Sequence, residues 1–276
     1  MIHISPSKPT PDIRLIVTDM DGTLLDPDRR LPPRFAETVT TLAARGIRWA
    51  IASGRQLANL RAAFAGMHLP LDIIAENGAL AAVPDKDEPI FRDLTPVPFF
   101  EDMLRTALDI PGATAVLCGE TCALVHDKVP ENFANVGYYF TERRKFSDLN
   151  AVLDRSVCKC AVYHPQAADI LWPILSRFAT PDRRIILSGP NWVDIQPARI
   201  NKGLALRALL ERHNLRPAQA AVFGDYLNDI EMMDGGVHAV AMGNAHPDLA
   251  ARCAHRTRSN AQNGVMHYLS AHLGLL

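Results

Sequence analysis

The chain has 276 residues, 48% hydrophobic and 21% charged, which is enough apolar material for a large core and unlike the composition of a disordered protein. Its 29 basic and 30 acidic residues give a formal net charge of -1, which argues against nucleic acid or an anionic membrane as the partner. No apolar run approaches the roughly 18 residues that span a bilayer, and residues 1–12 lack the apolar run of a secretory signal. We therefore expect a cytoplasmic monomer or homodimer in which any anion site is local.

The first third of the chain alternates apolar and amphipathic segments, which is typical of an α/β protein with a largely parallel sheet. Three short apolar runs predict buried strands, and each ends in a polar or glycine-containing loop. In open α/β sheets, ligands bind at the carboxyl ends of the strands. The predicted strands cover residues 13–18, 47–52 and 72–75, and the helices between them place Phe35, Val39, Leu42 and Ala43, then Leu57, Leu60 and Phe64, on one face.

The middle third has a different pattern, which predicts a separate α+β module inserted into the first domain. We expect helices over residues 99–108 and 169–178, a hairpin over 115–125 and a strand over 159–163. The α/β pattern returns after residue 191. There the sequence predicts a helix that Lys202 opens, strands over 220–223 and 237–242, and a final helix over 264–273.

Two groups of carboxylates lie just after predicted strands. Asp19 and Asp21 are two residues apart, a spacing that can place both on one side of an extended segment. Nearby carboxylates repel each other unless a cation neutralises them, and oxygen ligands with spare water positions suit Mg²⁺. Asp225 and Asp229 supply a second group after another short strand. Taken alone, Asp19 and Asp21 could be turn aspartates that cap a strand, and Asp225 or Asn228 could equally be a helix N-cap.

Other residues have the chemistry of a phosphate site. Gly22 permits a tight backbone turn whose neighbouring N–H groups can point at an anion. Ser53 and Gly54 bring a hydroxyl and backbone N–H groups to the start of a helix, which suits a phosphate oxygen. Taken alone, Ser53 is an ordinary helix cap and Lys202 an ordinary surface lysine.

The ordered set of these residues resembles the motifs of the haloacid dehalogenase-like hydrolases, most closely the Cof-type sugar-phosphatase subfamily. Residues 17–25 resemble the first motif, Ser53 the second, Lys202 the third and residues 224–229 the fourth. The fourth motif departs from the subfamily at Tyr226, where a small serine is common. Further similarity lies in residues 76–79, 194–197, 242–245 and 259–265.

This resemblance implies a fold and a reaction. The fold is α/β, with a Rossmann-like parallel-sheet core flanked by helices on both faces, formed by residues 1–82 and 190–276, and an inserted α+β cap of the C2B type at 83–189. The activity is Mg²⁺-dependent hydrolysis of a small phosphomonoester through an aspartyl-phosphate. The implied catalytic residues are Asp19, Asp21 and Lys202; the metal ligands Asp19, Asp21 and Asp225; the phosphate-binding residues Gly22, Thr23, Ser53, Gly54, Lys202 and Asn228; and the supporting residues Asp229 and Asn77.

The cap is expected to select the substrate, a small phosphorylated metabolite. Its candidate polar contacts are Glu120, Arg143, Lys159 and His164, each of which could instead be a surface residue or a partner at the edge of the core. Two other functions stay open: a phosphosugar mutase or phosphotransferase of the same superfamily, and a non-catalytic phosphometabolite-binding module. The sequence signature of a binding module would be loss of Asp19, Asp21 or Lys202, and all three are present.

Overall fold

The computed structural model describes residues 11–276, so most of the segment on which the secretory-signal prediction rests lies outside the described residues. Among residues 11–276, no helix combines the length and the apolar character required to span a membrane. The described chain forms two compact units. The first consists of residues 11–51 and 210–276, and the second of residues 52–209.

The secondary structure of the described residues alternates short strands with short helices. The strands are β1 (Leu15–Asp19), β2 (Arg48–Ala52), β3 (Leu71–Ala75), β4 (Leu80–Ala82), β5 (Phe91–Arg92), β6 (Thr95–Pro96), β7 (Thr114–Cys118), β8 (Ala123–His126), β9 (Arg143–Phe146), β10 (Ser156–Val157), β11 (Lys159–Tyr163), β12 (Arg183–Gly189), β13 (Trp192–Pro197), β14 (Ala220–Gly224), β15 (His238–Ala241) and β16 (His255–Arg256). The α-helices are α1 (Phe35–Ala44), α2 (Leu57–Phe64), α3 (Glu101–Asp109), α4 (Asn132–Asn135), α5 (Trp172–Leu175), α6 (Lys202–Arg212), α7 (Ile230–Met233), α8 (Pro247–Ala250) and α9 (Gly264–Ala271).

The first unit is built on a sheet whose strands lie in the order β16-β15-β14-β1-β2. Strand β1 runs parallel to β14, with Leu15 opposite Ala220, and β14 runs parallel to β15. Every residue of β1 and β14 is buried, which explains their continuous apolar sequences. Because the two strands are parallel, their carboxyl ends lie side by side, and the α/β prediction is confirmed.

The second unit contains a six-stranded sheet in the order β12-β13-β11-β7-β8-β9. Its neighbouring strands are antiparallel except for β8 and β9, which run parallel. Met103, Leu104 and Ala107 of α3 share a buried apolar core with residues of this sheet. The bounds 83–189 of the inserted module stay a prediction, and β13, which follows them in sequence, belongs to this sheet.

Most predicted elements are present, and the differences have local causes. Ala43, predicted on the buried face of α1, is exposed. The single helix predicted over 169–178 is instead a π-turn, the short α5 and a 3₁₀ turn. Pro173 lacks the N–H that would continue a regular helix. Strand β9 was not predicted, because its sequence Arg-Arg-Lys-Phe is mostly charged.

The Trp49 side chain is held by a buried hydrogen bond that offers a test of the first unit. Its Nε1 donates to Thr18 Oγ1 at 3.1 Å, while its ring packs edge-to-face on Phe35 with centroids 5.3 Å apart. Thr18→Val keeps the side-chain shape but leaves the indole N–H unpaired. We expect this to lower the free energy of unfolding in urea by about 1–3 kcal/mol.

The matched control is Thr40→Val, whose hydroxyl is exposed and bonds to Ala36 O within α1. This change should alter stability by less than about 0.5 kcal/mol. Equal effects of the two substitutions would contradict the role assigned to the buried hydrogen bond.

Candidate functional site

Three carboxylates meet at the ends of two parallel strands in the first unit. Asp19 ends β1, Asp225 directly follows β14, and Asp229 lies one turn further along the chain. One oxygen from each lies within 4.8 Å of the others, with Asp19 and Asp229 buried and Asp225 half-buried. Carboxylates this close repel each other unless a cation lies among them, and an all-oxygen donor set suits Mg²⁺. Asp229, predicted only as a supporting residue, is a member of this cluster.

The loop after β14 is fixed by hydrogen bonds that the carboxylates of the cluster accept. Asp229 Oδ2 accepts from the backbone N–H groups of Asp225 (3.1 Å) and Tyr226 (3.3 Å). Thr23 Oγ1 donates to Asp225 Oδ1 at 2.8 Å. Thr23 is buried, and its predicted role in phosphate binding stays a prediction. These hydrogen bonds fix the positions of the Asp225 and Asp229 carboxylates.

The loop after β1 is held by two asparagines that the sequence motifs left without a role. Asn244 Nδ2 donates to Gly22 O, and Asn260 Nδ2 donates to Leu25 O, both at 2.8 Å. The two asparagines are joined by a hydrogen bond from the Asn260 N–H to Asn244 Oδ1 at 3.0 Å. Both lie in the segments 242–245 and 259–265 that resemble the family pattern.

The remaining predicted residues of this unit lie around the cluster. Asp21 is exposed, and Gly22 and Asn228 are half-buried. The Tyr226 side chain is 54% exposed, and its ring lies edge-on to that of His246 with centroids 5.7 Å apart. The departure at position 226 therefore places an accessible aromatic ring next to Asp225 in the sequence.

In the second unit, Ser53 is buried in a loop that its own backbone hydrogen bonds hold in place. Its N–H donates to Ile74 O at 2.9 Å, and its carbonyl accepts from the Asn77 N–H at 3.1 Å. Ser53 Oγ accepts from the Arg55 N–H at 3.2 Å. The hydroxyl is thereby held three residues before Gln56, the N-cap of α2, and its role in phosphate binding stays a prediction.

Lys202 opens α6 and is buried. The chain before it is supported by the turn that also holds Ser53. Asn77 Nδ2 donates to Gln196 Oε1 at 3.1 Å, and Gln196 Nε2 donates to Ile200 O at 3.2 Å. Gly78 has a φ of +99°, and a Cβ on it would lie 2.1 Å from Asn201 O. Only glycine permits this close approach of the turn to the start of α6.

The four predicted substrate contacts have varied surroundings. Glu120 Oε1 lies 3.4 Å from a guanidinium nitrogen of Arg92, and His164 Nδ1 accepts from the Gln166 N–H. The Arg143 guanidinium donates to the carbonyls of Phe133 and Phe140, and Lys159 is buried. A role of these residues in substrate binding stays a prediction.

Sequence reasoning missed the segment around Tyr138, which contacts the start of α2. Asn59 Nδ2 donates to Tyr138 O at 3.0 Å, and Gln56 exchanges two hydrogen bonds with the backbone of Glu142. The Arg55 guanidinium carbon lies 5.9 Å from the centroid of the exposed Tyr138 ring. No residue of this segment carries a distinctive sequence signal, because its contacts are made with residues about 80 positions earlier.

A buried charge cluster lies beside the Ser53 loop. Lys159 Nζ is 2.7 Å from Asp194 Oδ2 and 3.6 Å from Glu76 Oε2, and it donates to Gly54 O at 2.9 Å. Neither Glu76 carboxylate oxygen accepts a hydrogen bond. Burial raises the pKa of Glu76 from 4.5 to about 7, although the Lys159 charge opposes this shift. The cost of burying the charged carboxylate therefore outweighs the attraction of the Lys159 charge.

A sequence profile described as haloacid dehalogenase-like hydrolase matches residues 16–269. The chain belongs to the haloacid dehalogenase-like hydrolases. This match, together with the relatives below, confirms the resemblance that the motifs indicated, including its Cof-type group.

Several relatives and solved structures are similar to this chain over almost their whole length. The hydrolase is 27% identical to the 5-amino-6-(5-phospho-D-ribitylamino)uracil phosphatase YbjI of Escherichia coli, covering 92% of this chain and 94% of the relative. It is 29% identical to an HMP-PP phosphatase of Cronobacter sakazakii, covering 93% and 94%. The crystal structure of SMU.1108c from Streptococcus mutans superposes with a TM-score of 0.77 at 26% identity, covering 95% and 99%.

Gly22 of this haloacid dehalogenase-like hydrolase provides a test of the carboxylate cluster. Its φ is +87°, and a Cβ would lie 2.4 Å from Asp225 Oδ2. Gly22→Ala should displace Asp225 and weaken binding of a divalent cation. We expect added Mg²⁺ to raise the Tm of the wild type and to have little effect on this variant, because a ligand stabilises only the state that binds it.

Gly46→Ala is the control, since Gly46 has a φ of +75° and open space around its Cβ position. It shares the backbone strain, worth about 1–2 kcal/mol, without the collision. It should lower the Tm and keep the full response to Mg²⁺. A wild-type response in Gly22→Ala would contradict the arrangement.

Glu76→Gln tests the buried charge cluster through pH. Because the folded protein holds the Glu76 proton more tightly than the unfolded chain does, the contribution of this group to stability is present at low pH and is lost as pH rises from about 4.5 to about 7. Glutamine removes that loss. The Tm advantage of the variant should grow across this interval and level off above it.

The control is Glu88→Gln, which changes an exposed carboxylate paired with Arg92. Its Tm difference from the wild type should stay nearly constant across the same pH interval. A constant difference for Glu76→Gln would show that Glu76 titrates at its ordinary pKa.

Proposed function

We propose that the protein is a Mg²⁺-dependent phosphatase that hydrolyses a small phosphomonoester through an aspartyl-phosphate on Asp19. The observation that carries this proposal is the cluster of Asp19, Asp225 and Asp229, with oxygens within 4.8 Å of one another at the ends of β1 and β14. It is supported by the relatives, which are named as phosphatases of phosphorylated metabolites.

The donor set of the cluster fits Mg²⁺, because it consists of hard carboxylate oxygens whose repulsion a divalent cation would offset. Asp19, Asp225 and Asp229 would hold the ion, with the backbone carbonyl of Asp21 as a further ligand. When bound, Mg²⁺ supplies positive charge that draws electron density from the phosphoryl group.

The reaction takes two steps. In the first, a carboxylate oxygen of Asp19 attacks phosphorus, the ester P–O bond breaks, and the leaving alkoxide takes a proton from the Asp21 carboxyl. In the second, the Asp21 carboxylate takes a proton from a water molecule, whose oxygen attacks phosphorus. The bond to Asp19 then breaks, releasing inorganic phosphate and restoring both carboxyl groups. The exposure of Asp21 is consistent with a residue that exchanges protons with a leaving group and with water.

We assign binding of the phosphoryl oxygens to residues that carry hydrogen-bond donors. Ser53 contributes its hydroxyl and Lys202 its ammonium, where the transition-state charge is spread. Backbone N–H groups of the Gly22–Thr23 and Gly54 loops and the Asn228 amide complete this assignment. Loss of one such donor typically lowers the rate about 10²–10³-fold.

The nature of the acceptor separates this proposal from its alternatives. A mutase or phosphotransferase would return the phosphoryl group to a sugar hydroxyl, whereas a phosphatase passes it to water. A binding module would release no phosphate. The name of one relative's substrate contains a uracil group and a phosphorylated ribityl chain, so the first substrates to compare are heteroaromatic phosphates and phosphosugars.

Asp19→Asn tests the nucleophile. We expect the wild type with Mg²⁺ to release inorganic phosphate from at least one member of a phosphometabolite panel without an added acceptor. The variant should lose at least about 10³-fold in kcat, because an amide oxygen is a far weaker nucleophile.

Asp28→Asn is the control, since Asp28 is an exposed carboxylate of the same unit, paired with Arg30. It should keep wild-type activity. Near-full activity of Asp19→Asn would rule out the aspartyl-phosphate on this residue.

A further inference from the structure

The peptide unit that joins Gly54 to Arg55 is held at both of its polar atoms. Its carbonyl oxygen accepts from Lys159 Nζ at 2.9 Å, and its N–H donates to Ser53 Oγ at 3.2 Å. A trans peptide unit is planar, so the direction of its carbonyl fixes the direction of its N–H. The position of Lys159 therefore sets the hydrogen bond that Ser53 Oγ receives.

This hydrogen bond decides where the Ser53 hydroxyl can donate. A serine hydroxyl has one proton to donate and two acceptor lone pairs. Because one lone pair receives the Arg55 N–H, the O–H bond must be directed elsewhere. A hydroxyl held in this way is ready to donate to an anionic oxygen without first breaking a bond to the backbone.

Lys159 is itself held rigidly. It lies on β11 and is 4% exposed, and its Nζ is 2.7 Å from Asp194 Oδ2 on the neighbouring strand β13. The carboxylates of Asp194 and Glu76 raise the pKa of Lys159, against the effect of burial, so the ammonium keeps its charge. A buried cation with a carboxylate partner on a paired strand has little freedom to move.

A turn on the other side completes the support of the loop. The Glu76 N–H donates to Arg55 O at 3.0 Å, and the Asn77 N–H donates to Ser53 O at 3.1 Å. Glu76 and Asn77 adopt φ values of +50° and +55° to make these bonds. Residues other than glycine rarely adopt this conformation, and its cost is offset where the surroundings fix it. Lys159 thus adds a side-chain hydrogen bond to a loop that these backbone bonds also hold.

We propose that Lys159, held by Asp194, is a positioning residue that directs the Ser53 hydroxyl toward a phosphoryl oxygen of the substrate. The inference rests on the proposed phosphatase function, because the role of Ser53 belongs to that proposal. It gives Lys159 an indirect role through the loop, in place of a direct contact with the leaving group.

The test is a double-mutant cycle between this ion pair and Ser53. Lys159→Met and Asp194→Asn are made together, so that Asp194 is not left buried and charged without its partner, while Glu76, whose pKa burial raises to about 7, can take up a proton. We expect the pair of changes to lower kcat/KM about 10–100-fold in the wild-type background, as loss of an orienting partner commonly does. On the Ser53→Ala background, the same pair should lower kcat/KM less than about twofold, since the group it orients is already gone.

An ion pair in the same unit, between the half-buried Arg183 and the exposed Asp102, supplies the control. Arg183 pairs with Asp102 at 3.1 Å and donates to Phe99 O, so it also joins a cation, a carboxylate and a carbonyl. Arg183→Met with Asp102→Asn should change kcat/KM less than about twofold. A loss equal to that of the Lys159 and Asp194 variant would overturn the proposal, because general loosening would then explain both.

Two other results would also overturn it. One is that the Lys159 and Asp194 changes lower kcat/KM by the same factor in the wild-type and Ser53→Ala backgrounds. The other is a wild-type rate in that variant while Ser53→Ala is impaired, which would leave the phosphatase function standing. If the wild type released no phosphate from any substrate of the panel, the proposed function would fail and the inference with it.

Discussion

The mutual repulsion of three carboxylates is the constraint on which the first unit depends. Parallel pairing of β1 with β14 brings Asp19 beside Asp225, and Asp229 joins them from the following turn. Hydrogen-bond donors offset part of this repulsion. Thr23 Oγ1 donates to Asp225, and Asp229 accepts from two backbone N–H groups. These bonds leave negative charge for a divalent cation to offset, which is the condition for the proposed chemistry.

In the second unit, a turn at residues 76–78 holds neutral hydrogen-bond donors in fixed directions. The turn bonds to the Ser53 loop. It also approaches the start of α6 so closely that only glycine fits at position 78. The buried charges of Lys159 and Asp194 add a directional bond to that loop. An ion pair in a low-dielectric interior has a steep distance dependence, so it orients better than an exposed pair.

The sequence predicted those parts of the site that follow from local order. Asp19 ends a buried strand, and Ser53 and Asp225 come directly after one, so their place at strand ends was predictable. The contact of Thr23 with Asp225 and the two asparagines that fix the first loop depend on residues about 200 positions away, which no local pattern reports. Lys159 was predicted as a polar contact of the cap, but an isolated lysine in an apolar strand does not reveal whether its charge meets solvent or a buried carboxylate.

The central claim is that phosphorus passes through a covalent bond to Asp19, and rapid quenching followed by mass spectrometry tests it most directly. Protein mixed with its best substrate and Mg²⁺ is quenched within one turnover and digested. The masses of the peptides are then measured. We predict that the peptide containing Asp19 gains the mass of one phosphoryl group, and that Asp21→Asn increases its amount by slowing hydrolysis of the intermediate. Turnover with no phosphorylated peptide in either protein, or a phosphoryl group located on another residue such as Ser53, would contradict the account.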